Sequence, residues 1–523
     1  MNTSFKSSIG TRYKAPNMSK LWSSDSKIIK MRQLWLDLAI YQKELGIPSI
    51  TVEGLEEMIQ HIDNSNSSSN NSNNSNNSNN SNNSSNNSSN NSSNNSSNNS
   101  SNNSSNNSSN NSSNNSSNNS SNNSSNNSNI DYEKINEYER RFKHDIVAHI
   151  HAFGDICPQA KPFIHLGATS NYINDNVDMI IVKQSLNIIN TLITKLFNVL
   201  KTKSQQYASK PTLAYTHLQQ AQLITIGKRF TMWNADISID IDNLNNVITQ
   251  IPFRGLKGTV GSEDTILKLF EGDHSKCELL NLKLANKYGF DNTLIICGQT
   301  YSRKYDVMVF QLMSNICQTI YKMMNDIRLL SSKGEVFESF GKEQVGSSAM
   351  PYKKNPITCE KICSLCRYVI TQENAMVQTY INQWLERSLD DSAIKRIIYP
   401  ECFMLLEHIL VETTQCIYDL VFNMSQIEKS ISDVMYNIIT EELILNGVNM
   451  GYNRIDIHER IRSILTKPMV SFDEDNNFDL STIKNIFSSD NVISQIIENY
   501  NISLEPKDYI GRCVEQIEKF YCD

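Results

Sequence analysis

From Gly346 the chain reads Ser347-Ser348-Ala349-Met350-Pro351-Tyr352-Lys353-Lys354-Asn355-Pro356, a dense cluster of hydroxyls, cations and turn formers. Pro351 and Pro356 lack backbone donors and restrict the residues before them, so the segment is expected to be a loop and not the middle of a helix. Ser347 offers an oxygen that can take or give a proton. Lys353 and Asn355 offer a charge and an amide to an anion held under that loop. On composition alone, a polar surface turn is the plain alternative.

Four more polar islands carry chemistry-bearing side chains. Lys143-His144-Asp145 is followed by Ile146, Val147 and Ile150, which predict a helix running on from it; a His beside a carboxylate is either a charge-tuned ligand group or a helix-surface pair. Thr216-His217-Leu218-Gln219-Gln220-Ala221-Gln222 is predicted at the start of a helix, before Ile224 and Ile226, and His217 is either functional or a satisfied structural residue. Gly298-Gln299-Thr300-Tyr301-Ser302-Arg303-Lys304 is a Gly-led turn into an apolar helix, where the early amides and Gln299 suit a carboxylate or phosphate, and where helix capping is an equal explanation. The run from Glu386 to Arg396 is either a solvated charged face or a phosphate-binding set, since guanidinium presents a planar fork of donors.

Long helices must position these islands. Apolar residues recur at three- and four-residue steps through Ile180, Ile181, Ile188, Ile189, Leu192, Leu196, Val199 and Leu200, through Met308, Leu312, Met313, Ile316, Ile320, Met323, Met324, Ile327 and Leu330, and through Leu405, Leu406, Ile409, Leu410, Ile417, Leu420 and Val421. With no sustained period-2 alternation, and only 11 Pro and 18 Gly, the pattern predicts an all-α fold with a few short hairpins. The Met stripe is core filler on its spacing. Breaks near Thr169 and Ser425 divide the chain into 1–169, 170–424 and 425–523. From Asn64 to Asn129 every residue is Asn or Ser, which leaves nothing apolar to offset the entropy of ordering, so 64–129 reads as a disordered insertion between Gln60-His61-Ile62 and a charged helix over Tyr132 to Phe153.

Composition narrows the function classes. A net charge of -7 with scattered basic residues gives no electrostatic footprint for nucleic acid. No apolar run is long enough to span a membrane and Met1 to Trp22 has no apolar leader core, so a cytoplasmic protein is expected. The 11 cysteines form no framework; Cys359, Cys363 and Cys366 read as small buried residues, since no second pair or nearby His completes a metal site.

Ser-Ser-x-Met-Pro-x-Lys-x-Asn-Pro resembles the signature loop of the fumarase/aspartase superfamily. Arg12-Tyr13, Gln33-Leu34-Trp35, Lys143-His144-Asp145, Gly298-Gln299-Thr300-Tyr301 and Trp384 to Ser392 resemble the adenylosuccinate lyase family within it, and the likeness covers nearly everything except the Asn/Ser tract. The resemblance implies a three-domain fold around a central long-helix bundle, and a homotetramer whose sites each draw residues from three subunits. It implies β-elimination of fumarate from small-molecule substrates, adenylosuccinate and succinylaminoimidazole carboxamide ribotide (SAICAR), without metal or organic cofactor. Ser347 would then be the base and His217 the acid. Lys353, Asn355, Thr169 and Ser170 would stabilise the carbanion, and Gln299 would hold the succinyl end. Arg12, Tyr13, Arg387, Ser392 and Arg396 would hold the phosphate and base. His144, between Lys143 and Asp145, would sit near the phosphate or support the acid. Lys361 stands where animal relatives carry Arg, and Leu218 and Gln220 where relatives often have Phe and Pro; a Lys cannot reproduce a bidentate fork. Two other readings stand beside this one. A sister lyase for argininosuccinate, fumarate or aspartate would share the loop but not the Arg12-Tyr13 and Glu386 to Arg396 islands. A non-enzymatic scaffold on the same fold would have no need of Ser347, His217 and Lys353 together.

Overall fold

The computed structural model describes residues 7–70, 130–341, 343, 348–466 and 480–522. In chain order its main elements are α1 (Pro16–Leu21), α2 (Ser24–Glu44), α3 (Val52–Asn70), α4 (Tyr132–Phe142), α5 (Asp145–Ile156), α6 (Ser170–Gln206), β1 (Pro211–Thr216), β2 (Gln219–Thr225), α7 (Ile226–Gln250), α8 (His274–Lys287), α9 (Lys304–Ser332), β3 (Val336–Phe337), α10 (Ile357–Ile381), α11 (Asp391–Tyr418) and β4 (Val421–Phe422). Short helices from Met424 onward complete the chain. The chain forms two compact units, one of residues 51–164 and one of the remainder.

The smaller unit holds α3, α4 and α5, and the Asn/Ser tract joins α3 to α4. Helix α3 buries Leu55, Met58 and Ile62 at three- and four-residue spacing and continues to Asn70, into the start of the tract; 71–129 lie outside the described residues. The expected helix from Tyr132 to Phe153 is two helices. Lys143 adopts a left-handed φ of 54°, which ends α4, and His144 caps α5 by accepting the Val147 N–H at its Nδ1, 3.3 Å away.

In the larger unit α6, α7, α9, α10 and α11 form a closed ring, packing in the cyclic order α6-α7-α9-α10-α11. Their inner stripes are fully buried, among them Ile173, Ile181, Leu186, Ile193, Leu200, Phe310, Ile316, Ile320 and Ile409. Each such side chain contributes roughly 1.5–3 kcal/mol over its exposed state, so packing and not helix propensity carries these helices. Side chains fix the directions. Lys304 lies over the Tyr380 ring, joining the start of α9 to the end of α10, while Lys203 lies over Tyr418, joining the ends of α6 and α11. One end of the ring, called lower here, therefore holds Ser170, Lys304 and Asp391, and the upper end holds Gln206, Ile357 and Tyr418. Helix α6 alone has 37 residues, about 55 Å at 1.5 Å per residue. Helix α11 stops at Tyr418, so Val421, expected to continue it, lies instead in β4, paired with β3. Inside α11 stands Pro400, whose missing N–H leaves the Arg396 carbonyl without its helical bond.

Candidate active site

At the lower end a pocket is lined by five cations, Lys27, Arg303, Arg387, Lys395 and Arg396, against three carboxylates, Asp175, Asp178 and Asp391, with Ser392 and Asn171 beside them. The balance is two positive charges, which suits a dianion. Beneath it the charges are interlocked. Arg303 Nη2 lies 2.9 Å from Asp175 and 2.5 Å from Asp391, Arg387 Nη1 donates to Asp391 at 2.7 Å, and Lys395 lies between Asp178 and Asp306. Burial pushes the Asp178 carboxyl up, but Lys27, Lys395 and Arg303 outweigh it and hold it down at about 2. The same contest, with Arg303 and Arg387 winning, lowers Asp391.

Gln299 belongs to this end. Its side chain bridges Asn171 at 3.2 Å and the Thr259 carbonyl at 3.0 Å, and its N–H donates to the Glu386 carbonyl at 2.9 Å. A β-carbon on Gly298 would come within 2.6 Å of that same carbonyl, so the loop before α9 can lie against the segment before α11 only because residue 298 is glycine. Thr169 stands at the N-cap of α6, and its Oγ1 is enclosed without a hydrogen-bond partner among the described residues, next to Ser170.

At the upper end β1 and β2 pair from Pro211↔Thr225 to Thr216↔Gln219, leaving His217 and Leu218 as a two-residue turn. Both have left-handed φ, 53° and 61°. That geometry belongs to Asn-Gly turns, and for two side-chain-bearing residues it stores strain of about 1 kcal/mol or more each. His217 therefore sits exposed at a hairpin tip and not at the expected helix start. Strands β3 and β4 lie nearby, where Tyr215 bonds to Glu335 and the Asn423 N–H meets the Glu335 carbonyl. Glu338 ties down the base of the signature loop by accepting the Thr358 and Cys359 N–H groups at 3.0 and 2.7 Å. Beyond it Lys353 is exposed, Asn355 is half-buried, and Ser347 lies outside the described residues.

Tyr13 and Lys361 occupy the flank of α11. The Tyr13 ring packs on His408 with centroids 5.4 Å apart, exposed Arg12 precedes it, and the Lys361 ammonium is held by Glu412 at 2.7 Å. Lys143, His144 and Asp145 belong to the other compact unit, where Lys143 and His144 are exposed at the α4/α5 junction.

A family model described as a lyase matches residues 88–371. The adenylosuccinate lyase of Saccharomyces cerevisiae is 33% identical over 98% of this chain and 93% of its own length. That of Schizosaccharomyces pombe is likewise 33% identical, over 99% and 94%. The chain belongs to the adenylosuccinate lyase family. Its fold is shared with a fumarate lyase from Mesorhizobium sp. BNC1, whose structure superposes with a TM-score of 0.70 over 96% of this chain and 97% of that one at 15% identity.

Within a single chain of this adenylosuccinate lyase family member, the larger unit brings Thr169, Ser170, Gln299, Arg387, Ser392 and Arg396 to the lower end and leaves His217, Lys353 and Asn355 at the upper end, roughly 40–55 Å away along α6 and α9. Tyr13, beside His408, stands about 24 Å along α11 from Ser392. Lys27, Asn171, Asp175 and Asp178 of the lower pocket escaped the sequence reading, and Arg303 and Asp391, inside two of its polar islands, were given no role of their own. A signal existed. Asn171, Asp175 and Asp178 recur at four- and three-residue steps on the otherwise apolar α6, which marks one buried polar stripe.

Glu338, Cys359 and Cys416 bring a carboxylate and two thiols close enough to share a metal ion. Capping of α10 accounts for Glu338. The hydrogen bond between the Cys359 and Cys416 sulfurs, reinforced by burial, pushes the Cys359 thiol up. Cys363 and Cys366 are buried on the same helix.

Proposed function

We propose that this chain eliminates fumarate from adenylosuccinate to give AMP, and from SAICAR to give the free carboxamide, and that it does so as a carbon-nitrogen lyase. In this reading Ser347, as the alkoxide, removes a proton from the succinyl carbon next to a carboxylate. The electron pair left on that carbon forms the C=C bond as the C–N bond breaks, and His217 protonates the departing nitrogen. A serine hydroxyl is a poor base in water, so the loop must close, exclude water and set Lys353 and Asn355 against the developing charge. The pocket with two surplus cations is the observation that carries the reading: Arg387, Ser392 and Arg396 face a space suited to a nucleotide phosphate, and Gln299 stands beside it. Base, acid and donors are all side chains, so the scheme calls for no cofactor.

The bundle length supports a further part of the reading. Upper and lower groups of one chain cannot meet, so a working site takes its acid and its phosphate clamp from different copies. Exposed apolar side chains on the bundle favour such packing, among them Met232 and Ile239 on α7, Leu329 on α9, and Ile397 and Val411 on α11. A homotetramer with sites shared by three subunits, the smaller unit contributing Lys143, His144 and Asp145, fits this need. Acidic net charge disfavours nucleic acid as a partner. No helix among the described residues is long and apolar enough to cross a membrane, and a cytoplasmic enzyme remains our reading. Purified protein should consume adenylosuccinate and release fumarate and AMP in equal amounts. Turnover of argininosuccinate, with adenylosuccinate untouched, would move the chain to a sister activity.

A further inference from the structure

Resting on the reading of the lower pocket as the phosphate site, we propose that Asp391 and Arg303 are positioning residues for Arg387, together forming a relay that aims its guanidinium while keeping a net positive charge in the pocket. Asp391 is buried between two guanidiniums, with Arg303 2.5 Å from Oδ2 and Arg387 2.7 Å from Oδ1. The three groups differ in access. The Arg387 side chain is 21% exposed and reaches the pocket, whereas that of Arg303, in the pocket wall, is 2% exposed and bears chiefly on Asp391. Arg303 is itself fixed from two other sides, by Asp175 at 2.9 Å and by the Tyr301 ring, whose centroid lies 4.2 Å from its guanidinium carbon. Tyr301 is anchored in turn by donating to Asp306 at 2.6 Å and accepting from Lys395 at 2.7 Å.

The sequence of charges gives the relay its sense. A lone Asp391 would immobilise Arg387 and cancel its charge. With Arg303 behind it, and Asp175 shared between Arg303 and the buried Arg254 at 3.7 Å, the line from Arg387 to Arg254 carries one net positive charge, and the member that meets solvent most is the one that faces the anion. Arg303 leaves its Nε and Nη1 without hydrogen bonds among the described residues. A buried guanidinium with unmatched donors is a poor device for stability, since buried ion pairs seldom exceed their desolvation cost. It is a good one for holding a carboxylate at a fixed angle, and a fixed Arg387 has less freedom to lose when the ligand binds.

Asp391→Asn separates this proposal from simple electrostatics. Removing a negative charge beside an anion site should tighten binding if charge alone matters, so that KM for adenylosuccinate falls; loss of aim should weaken it. We expect KM to rise about 10-fold with kcat within about twofold, on the scale of a small misplacement, and inhibition by inorganic phosphate to weaken in parallel. In an Arg387→Met background the Asp391→Asn change should then add less than about twofold, because the relay has lost its output. Arg303→Lys, which keeps the charge but loses the fork, should reproduce a smaller KM rise and serves if Asp391→Asn fails to fold. A fall in KM, equal losses in kcat and kcat/KM, or independent effects in the double variant would overturn the relay. An inactive parent enzyme would instead overturn the underlying functional reading, and an unchanged KM in Arg387→Met alone would overturn the phosphate assignment.

Discussion

The two ends of the bundle handle polar groups in opposite ways. At the lower end Lys27, Arg303, Arg387 and Lys395 are each paired with a carboxylate of the pocket, and Arg387, Asp391, Arg303 and Asp175 form an unbroken line from solvent to core. At the upper end His217 stands exposed on a strained turn and Lys353 is exposed on a loop anchored at Glu338. Binding needs groups that are already in place, because ordering them at the moment of encounter costs affinity. Proton transfer needs groups that another surface can enclose and dry. The contrast teaches what the proposed function asks of the fold: in that reading one chain supplies an anion clamp at one end and unfinished chemistry at the other, and a second chain joins them.

The upper end should be the more sensitive to a single substitution. His217→Ala and Ser347→Ala are each expected to lower turnover at least about 100-fold, the usual scale for losing an acid or base, with circular dichroism unchanged; Ser348→Ala serves as the neighbouring control. Near-normal turnover in either variant would dissolve the upper end as the seat of chemistry. At the lower end Gly298→Ala drives a methyl group into the Glu386 backbone and so misplaces Gln299 and Arg387 together. Steady-state kinetics should show KM raised about 10-fold with a smaller change in kcat, and an unchanged KM would mean that the two loops need not touch.

The smallest effect sharpens the contrast between partnered and unpartnered buried carboxylates. Asp240, on α7, has no cation against it among the described residues: burial raises its carboxyl to about 6, a hydrogen bond from Thr319 opposes the rise, and Asp236 adds to it. Its folded value lies above the unfolded value near 3.8, so the native state binds the extra proton. Stability is full at low pH and is lost as pH rises through about 6. Asp240→Asn should therefore melt higher than the parent at pH 8, by up to about 2 kcal/mol, and show little advantage at pH 4. Asp178, held near 2 by its cations, has the opposite sign and loses its contribution only as pH falls below about 4. A melting difference independent of pH would remove Asp240 from this account.

The long helices were legible because three- and four-residue spacing survives in α6, α9 and α11, and the loop after Gly346 because proline forbids helix there. The turn at His217 was not, since two residues with left-handed φ and no Gly or Asn give no local signal. Nor was the break at Lys143, for the same reason. Asp175 gave no signal of its own, and Arg303 and Asp391 could not be told from capping or solvated positions in one dimension. Their burial follows from which helices face one another, a property of the assembled ring. The distance between the two ends was equally hidden: island order along a chain says nothing of whether a helix of 37 residues lies between two islands.

The central claim, that the acid and the phosphate clamp of one working site come from different chains, is tested most directly by complementation. His217→Ala protein, nearly inactive, and Arg387→Met protein, weakened in substrate binding, are mixed in equal parts, unfolded and refolded together, and assayed with adenylosuccinate well below the KM of Arg387→Met after native mass spectrometry has confirmed mixed assemblies. Random reassortment should leave roughly a quarter of the sites with both native residues, and activity should return toward that fraction of the parent. Mixed assemblies no more active than either variant alone would show that both residues act from one chain, and the account of two ends joined between copies would be wrong.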